Sequence, residues 1–315
     1  MTPDESSREM IMELPKDIIH HGDTLSVLKT MPNESVNCCV TSPPYWGLRD
    51  YGVKGQIGME KTLDEYVAKM VEIFREVRRV LRKDGTLWMN LGDTYSCSWG
   101  ATSHALVGRA RRMAYNCRPP QSRLNGLKSK DLCGIPWMVA IALRSDGWYL
   151  RSDIIWSKLN PMPESVTDRP TKAHEYIFLM SKNKKYYYDG GAIKERSKSE
   201  GSIHVDGNTD KMTNQKGFGT RPSKTYVTPA FRNKRSVWGV STMPYSKAHF
   251  ATFPPKLIEP CILAGCPRGG IVLDPFMGSG TTGMVAKNLL RHYIGIELNS
   301  QYIEMAEERI GKRLF

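Results

Sequence analysis

Residues 271–283, IVLDPFMGSGTTG, place an apolar strand, a glycine-rich turn and a helix start in one short stretch, and Glu297 closes the next strand candidate, HYIGIE. Strand-to-helix turns of this kind belong to α/β layers, so this stretch limits the fold more than any other in the chain. The remaining periodicity agrees with it. Strand candidates at 36–40, 86–91, 148–156, 174–180, 271–274 and 292–297 alternate with helical patterns, which predicts an α/β sheet covered on both faces. The plainest helix is expected over 63–82. Thr62 caps it, Glu65 completes a capping box, Leu63, Tyr66, Met70, Phe74, Val77 and Leu81 share one face, and Gly85 follows as a C-terminal stop. Further helix starts are expected at Pro136, near Pro255, at Thr281 and at Asn299.

Two stretches break the alternation. Residues 97–130 hold Arg109, Arg111, Arg112, Arg118, Arg123, Lys128 and Lys130 with no acidic residue, and 190–247 interleaves Lys and Arg with Tyr226, Phe231, Trp238 and Tyr245. Long irregular segments with such composition suit phosphates and unstacked bases; a solvated surface insertion is the other reading of each. The chain carries 45 Lys+Arg against 32 Asp+Glu, a net +13, which favours a polyanionic partner, nucleic acid first. No run of 18 apolar residues suggests a membrane span, and the first residues, MTPDESSREM, lack an apolar signal core. Seven cysteines without zinc-like spacing indicate reduced, mostly buried thiols in a cytoplasmic protein, with no metal site.

The glycine turn admits several ligands. Gly278, Gly280 and Gly283 match G-x-G-x-x-G, and an acid at the end of the following strand can accept from two ribose hydroxyls. Glycine is expected here because a Cβ would block close approach of backbone to a ligand. A P-loop requires Lys before the Ser or Thr, and Gly280 precedes Thr281, so that reading fails. A dinucleotide site fits the glycines and Glu297. S-adenosylmethionine has the same nucleoside without phosphate, and Asp274-Pro275-Phe276 before the glycines suits its cationic amino acid end better than a pyrophosphate. A plain strand-to-helix turn also stays open.

A second stretch decides among these. After VNCCV, residues 41–46 read TSPPYW, and paired prolines cannot continue a central strand. TSPPY together with DPFMGSGTT resembles the amino-methylating DNA methyltransferases, which modify N4 of cytosine or N6 of adenine with S-adenosylmethionine. The catalytic stretch precedes the cofactor loop, as in the β subgroup of that family. HHGD (20–23), HFATFPPKL (249–257) and IGIELN (294–299) extend the resemblance over roughly 15–97, 131–189 and 246–312.

The resemblance implies a doubly wound, mostly parallel Rossmann-like sheet with an inserted target-recognition region. Residues 1–189, with the basic insertion 97–130, and 248–315 would be the catalytic and cofactor halves of one domain, and 190–247 the recognition region. It assigns catalysis to Ser42, Pro43, Pro44 and Tyr45, and cofactor binding to Asp23, Thr252, Phe253, Asp274, Phe276, Gly278, Ser279, Gly280, Thr281 and Glu297. For Asp23 a helix cap before TLSVL is the competing role. Candidate DNA contacts are Trp46, Arg49, Arg109, Arg111, Arg112, Arg232, Lys234 and Arg235; Arg49 competes with a structural pairing to Asp50. The expected partner is double-stranded DNA, and the resemblance admits a homodimer and a restriction endonuclease acting on the same site.

The chemistry explains the prolines. An exocyclic amine is a poor nucleophile because its lone pair is delocalised into the ring. Two acceptors aimed at its N–H groups, the Ser42 hydroxyl and the Pro43 carbonyl, hold the nitrogen nearer to tetrahedral. A base within a duplex must first be extruded, and Tyr45 is expected to stack on it with Trp46 beside it. Family members acting on cytosine usually carry Ser at the first motif position, where adenine enzymes carry Asp or Asn, so Ser42 points to N4 of cytosine. Adenine N6 is the alternative target; a dinucleotide oxidoreductase, a catalytically idle DNA-binding relative and an RNA substrate are the other readings held open.

Overall fold

The computed structural model describes residues 14–47, 52–53, 55–96, 126–205, 225–243 and 253–311. In chain order the elements are β1 Ile18–His21, α1 Thr24–Thr30, β2 Val36–Thr41, α2 Leu63–Val80, β3 Leu81–Leu91, α3 Ile135–Ser145, β4 Tyr149–Lys158 and β5 His174–Ser181. Then come β6 Glu195–Arg196, β7 Ile203–Val205, β8 Thr225–Val227, β9 Phe231–Arg232, β10 Val237–Val240, α4 Pro255–Gly265, β11 Ile271–Asp274, α5 Thr281–Asn288, β12 His292–Glu297 and α6 Ser300–Gly311. They fall into two compact units, one drawn from Met1–Tyr188 and Ser236–Phe315, the other from Asp189–Arg235. Among the described residues no helix is long and apolar enough to cross a membrane.

The first unit holds, among the described residues, an eight-stranded sheet in the order β1-β12-β11-β2-β3-β5-β4-β10. Neighbours are parallel except at β5, which runs antiparallel to both β3 and β4. Central strands buried on both faces read as unbroken apolar runs, and β2 does so, with Cys38, Cys39 and Val40 inaccessible or nearly so. Their side chains divide by parity. Cys39, Leu87, Met89 and Leu273 join the core beneath α1, α2 and α3. Cys38, Thr86 and Trp88 face α4, where they crowd Gly265 so closely that no Cβ fits there. The five cysteines described, 38, 39, 133, 261 and 266, form no disulfide and are buried.

Helix α2 begins as its sequence predicts. Thr62 Oγ1 accepts from the Glu65 N–H at 3.1 Å, and Glu65 Oε2 accepts from the Thr62 N–H at 3.2 Å. Leu63, Tyr66, Met70, Phe74 and Val77 are buried along one face, each worth about 1.5–3 kcal/mol on removal from water. Its end differs from the expectation. The helix stops at Val80, Leu81 turns to extended backbone (φ −65°, ψ 138°), and Gly85 lies inside β3. The cap N–H at Leu81 is satisfied by Val77 O and Leu81 is fully buried, so the strand needs no glycine stop. Two strands of this sheet escaped the periodicity: β1 is only IIHH, and β10, VWGV, sits within the Gly- and Lys-rich interval 190–247.

The second unit holds, among its described residues, two short antiparallel pairs, β6 with β9 and β7 with β8. Glu195 Oε1 accepts from Arg232 Nε at 2.8 Å and Arg235 Nε at 2.5 Å. Tyr226 and Phe231 are exposed. The interval 190–247 is therefore divided, since Val237–Val240 pairs with β4 in the main sheet.

The two contributions to α2 separate by size. Phe74→Ala should lower the unfolding free energy by about 3–5 kcal/mol, and Thr62→Ala by about 1 kcal/mol. Urea unfolding would measure both, and equal losses would refute this division between core and cap.

Candidate active site

Strand β2 ends at Thr41 because Pro43 and Pro44 cannot continue its ladder. The turn from Ser42 to Trp46 is fixed from several sides. Tyr66 in α2 donates its hydroxyl to the Pro44 carbonyl at 2.9 Å, and Trp46 Nε1 donates to the Glu60 carbonyl at 3.0 Å. Gly92 must lack a side chain, since a Cβ there would stand 2.6 Å from Tyr45 Cε2. The Tyr45 hydroxyl donates to Glu175 Oε2 at 2.8 Å, with Asn90 Oδ1 at 3.3 Å, and Ser42 Oγ lies 3.5 Å from it, at the outer limit of a hydrogen bond. Glu175 is held in turn by Asn90 Nδ2 at 3.2 Å and by Lys158 Nζ at 2.5 Å. Burial first, and then the Glu175 carboxylate, push the Tyr45 phenol well above its ordinary pKa. Among the described residues no backbone donor reaches the Pro43 carbonyl.

The glycine turn after β11 is built around Asp274. That carboxylate is 2% exposed; Oδ1 accepts from Thr41 Oγ1 at 2.7 Å and from the Phe276 N–H at 3.0 Å, and Oδ2 accepts from Thr282 Oγ1 at 2.6 Å. Burial outweighs those three donors and raises its pKa from 3.8 to about 6. Gly278 and Gly280 have φ of +50° and +77°, which explains glycine at both. The expected reason, room for a ligand, is not the one at Gly280 and Gly283. A Cβ on Gly280 would lie 2.8 Å from Ala306 Cβ in α6, and one on Gly283 would lie 2.7 Å from Met277 Cε. Arg309 of α6 locks the turn from outside, its Nη1 donating to Ser279 Oγ at 2.9 Å and Thr281 Oγ1 at 2.8 Å. At the end of β12, Glu297 Oε2 accepts from the Gly278 N–H at 2.8 Å and Oε1 from the Asn299 N–H at 2.9 Å. Burial raises the Glu297 pKa as well.

Both stretches line one cavity of about 860 Å³, as the order β11-β2 requires, for it sets the carboxyl ends of those strands side by side. Ser42, Pro43, Pro44, Tyr45, Asp23, Phe253, Asp274, Phe276, Gly278, Ser279, Thr281 and Glu297 all reach it. Asp23 also caps α1, Oδ1 accepting from the Ser26 N–H at 2.9 Å, so the competing role is realised. Arg49, Arg109, Arg111, Arg112 and Thr252 lie outside the described residues. Arg232, Lys234 and Arg235 belong to the second unit.

Sequence reasoning missed Asn90, Asp93, Lys158, Lys172 and Glu175, all on the cavity wall. The trace they left was polar residues closing or opening apolar strands, as in TLWMNLGD and HEYIFLM. Asp93 caps α3 from a distance, accepting from the Gly134 and Ile135 N–H groups at 3.1 Å each.

Because Asp274 binds its proton more tightly when folded (about 6) than at the usual 3.8, its contribution to stability falls as pH rises through that window. Asp274→Asn lacks this titration. Its stability relative to the unaltered protein should rise by up to about 3 kcal/mol between pH 3.5 and pH 7; urea unfolding at both pH values would show a flat difference if the carboxyl titrates normally.

Comparison with known proteins places this geometry. The N6/N4 methyltransferase family model, described as DNA methylase, matches residues 36–308. The chain is 48% identical over 300 residues to the Type II methyltransferase M.Cfr9I of Citrobacter freundii, covering 95% of this chain and 89% of that one. It is also 48% identical over 292 residues to the Type II methyltransferase M.SmaI of Serratia marcescens, covering 93% and 90%. Among solved structures, PvuII DNA methyltransferase (cytosine-N4-specific) shares the fold with a TM-score of 0.63 at 19% identity, over 96% of this chain and 88% of that one. TTHA0409 from Thermus thermophilus, solved in complex with S-adenosyl-L-methionine, shares it with a TM-score of 0.56 at 22% identity, over 93% and 94%.

Proposed function

We propose that this chain, which belongs to the N6/N4 DNA methylase family, transfers a methyl group from S-adenosylmethionine to N4 of a cytosine turned out of double-stranded DNA. The observation that carries the reading is the single cavity shared by the Ser42–Tyr45 turn and the Gly278–Glu297 region. The Type II designation of the 48% identical relatives supports DNA as substrate and an endonuclease acting on the same site.

The residues of the glycine turn fit the cofactor. Glu297 uses two acceptor sites on Gly278 and Asn299, and a carboxylate offers about four, leaving capacity for two ribose hydroxyls. Asp23, Asp274 and Glu297 line this region, while the lysines of the cavity wall stand near Glu175 and Asp93. That charge suits a cationic ligand and opposes a pyrophosphate, which argues against a dinucleotide. When bound, S-adenosylmethionine supplies a methyl group already activated by its cationic sulfur.

The chain's own work is to prepare the amine. Ser42 Oγ directs its hydrogen toward the Tyr45 oxygen, whose hydrogen is committed to Glu175, so the Ser42 lone pairs face outward as acceptors. The Pro43 carbonyl is the second acceptor, its direction set by the proline ring. Two acceptors on one amine hold it pyramidal and keep its lone pair out of the ring. Tyr45 therefore acts first on Ser42, with its ring beside the base. None of the five described cysteines takes part, since all of them are buried. Ser42 at the first motif position favours cytosine, and the cytosine-N4 specificity of the PvuII neighbour supports it.

Mass spectrometry of nucleosides from mixed-sequence duplex DNA, incubated with protein and S-adenosylmethionine, tests the reading. N4-methylcytosine is expected, and sequencing of the product would then give the target site; N6-methyladenine would overturn the base assignment. No methylated base from folded protein would overturn the activity. Ser42→Ala should lower kcat by at least about 100-fold, and Tyr45→Phe by less. Glu297→Gln should weaken S-adenosylmethionine binding by about 10-fold or more in calorimetry; unchanged affinity would remove Glu297 from the ribose site.

A further inference from the structure

Lys158 and Lys172 line the cavity that also holds Ser42 and Glu175, Arg169 acts on Lys172 from nearby, and two of these three cations are committed. Lys158 pairs with Glu175 at 2.5 Å and lies 5.0 Å from the centre of the Trp156 ring. Arg169 pairs with Glu164 at 2.6 Å and covers the Tyr95 ring at 3.8 Å. Lys172 lines the same cavity and is partly buried, with its backbone N–H fixed by Glu164 Oε2 at 3.2 Å. Among the described residues, no carboxylate stands within ion-pairing distance of its ammonium. A charge drawn partly out of water and left without an acceptor is unfavourable unless a ligand supplies one.

We propose that Lys172 selects the target base, its ammonium donating to the O2 carbonyl of the extruded cytosine while Ser42 and Pro43 hold the amine on the same edge. Adenine offers an amine and a ring nitrogen on that edge but no carbonyl, so only cytosine satisfies both ends at once. The assignment rests on the cytosine reading above and adds the group that enforces it. The charges facing Lys172 come from several elements: Asp93 after β3 and Glu175 on β5 favour its proton, Lys158 on β4 and Arg169 oppose it, and Glu164 holds its backbone. Burial dominates and sets its pKa below that of an ordinary lysine.

The test measures kcat/KM for the unaltered protein, Lys172→Met and Lys172→Arg, on duplexes carrying the sequenced target site with cytosine or adenine at the target position. Lys172→Met should lose about 10- to 100-fold on cytosine and nothing on adenine, so the preference narrows. Lys172→Arg should recover most of the loss and move the alkaline limb of the pH profile upward, because arginine keeps its charge. Both variants should bind S-adenosylmethionine as the unaltered protein does. Full activity of Lys172→Met on cytosine, or an equal loss on both bases, would overturn the assignment while leaving the methyltransferase reading intact. If Lys172→Met does not fold, Lys172→Arg decides, and an unmoved alkaline limb counts against the proposal. N6-methyladenine as the natural product would overturn it as well, and no product from the unaltered protein would overturn both readings together.

Discussion

The site depends on one buried carboxylate. Asp274 accepts hydrogen bonds from Thr41 at the end of β2, from Thr282 in the first turn of α5 and from the backbone of the turn itself. A carboxylate buried this far is tolerated only with its oxygens occupied, and here the occupants come from the two stretches that line the shared cavity. Ser42 follows Thr41 directly, so the position of its hydroxyl is inherited from a contact with the glycine turn. Removing that group would loosen the Ser42–Tyr45 turn and the glycine turn at the same time.

Most of the sheet was legible because its central strands are buried on both faces and show as apolar runs. Where burial stops, so does legibility. β1 and β10 are edge strands of four residues, and IIHH and VWGV carry too little pattern to stand out from their surroundings. The capping box of α2 was readable because it is a local exchange between residues three apart, whereas its end was decided by the burial of Leu81 in a strand that sequence alone does not locate. The glycine turn was found for a partly mistaken reason: Gly278 and Gly280 answer to backbone conformation, and Gly280 and Gly283 to the close approach of α6 and Met277.

The candidate site was half legible. Motif residues could be named because their types are rare at those spacings, but the residues that orient them could not. Glu175, Asn90 and Lys158 come from three different strands and meet only because β3, β5 and β4 are neighbours in the sheet. Charged residues were the hardest to read in both directions. Asp23 and Asp93 cap helices while lining the cavity, and Arg232 and Arg235 both engage Glu195 within their own unit. A charge count identifies a class of partner; only the geometry separates side chains already engaged from those left to meet it.

The bond from Thr41 to Asp274 spans 233 residues of sequence. During synthesis on the ribosome, Ser42 emerges long before its neighbouring strand β11 exists, and the glycine turn is locked only when Arg309, near the end of α6, has been made. Thr41 of a growing chain has no acceptor, and the cavity lacks one wall. The order of the motifs along the chain thus leaves a shortened product with the Ser42–Tyr45 turn but without the glycine turn that shares its cavity.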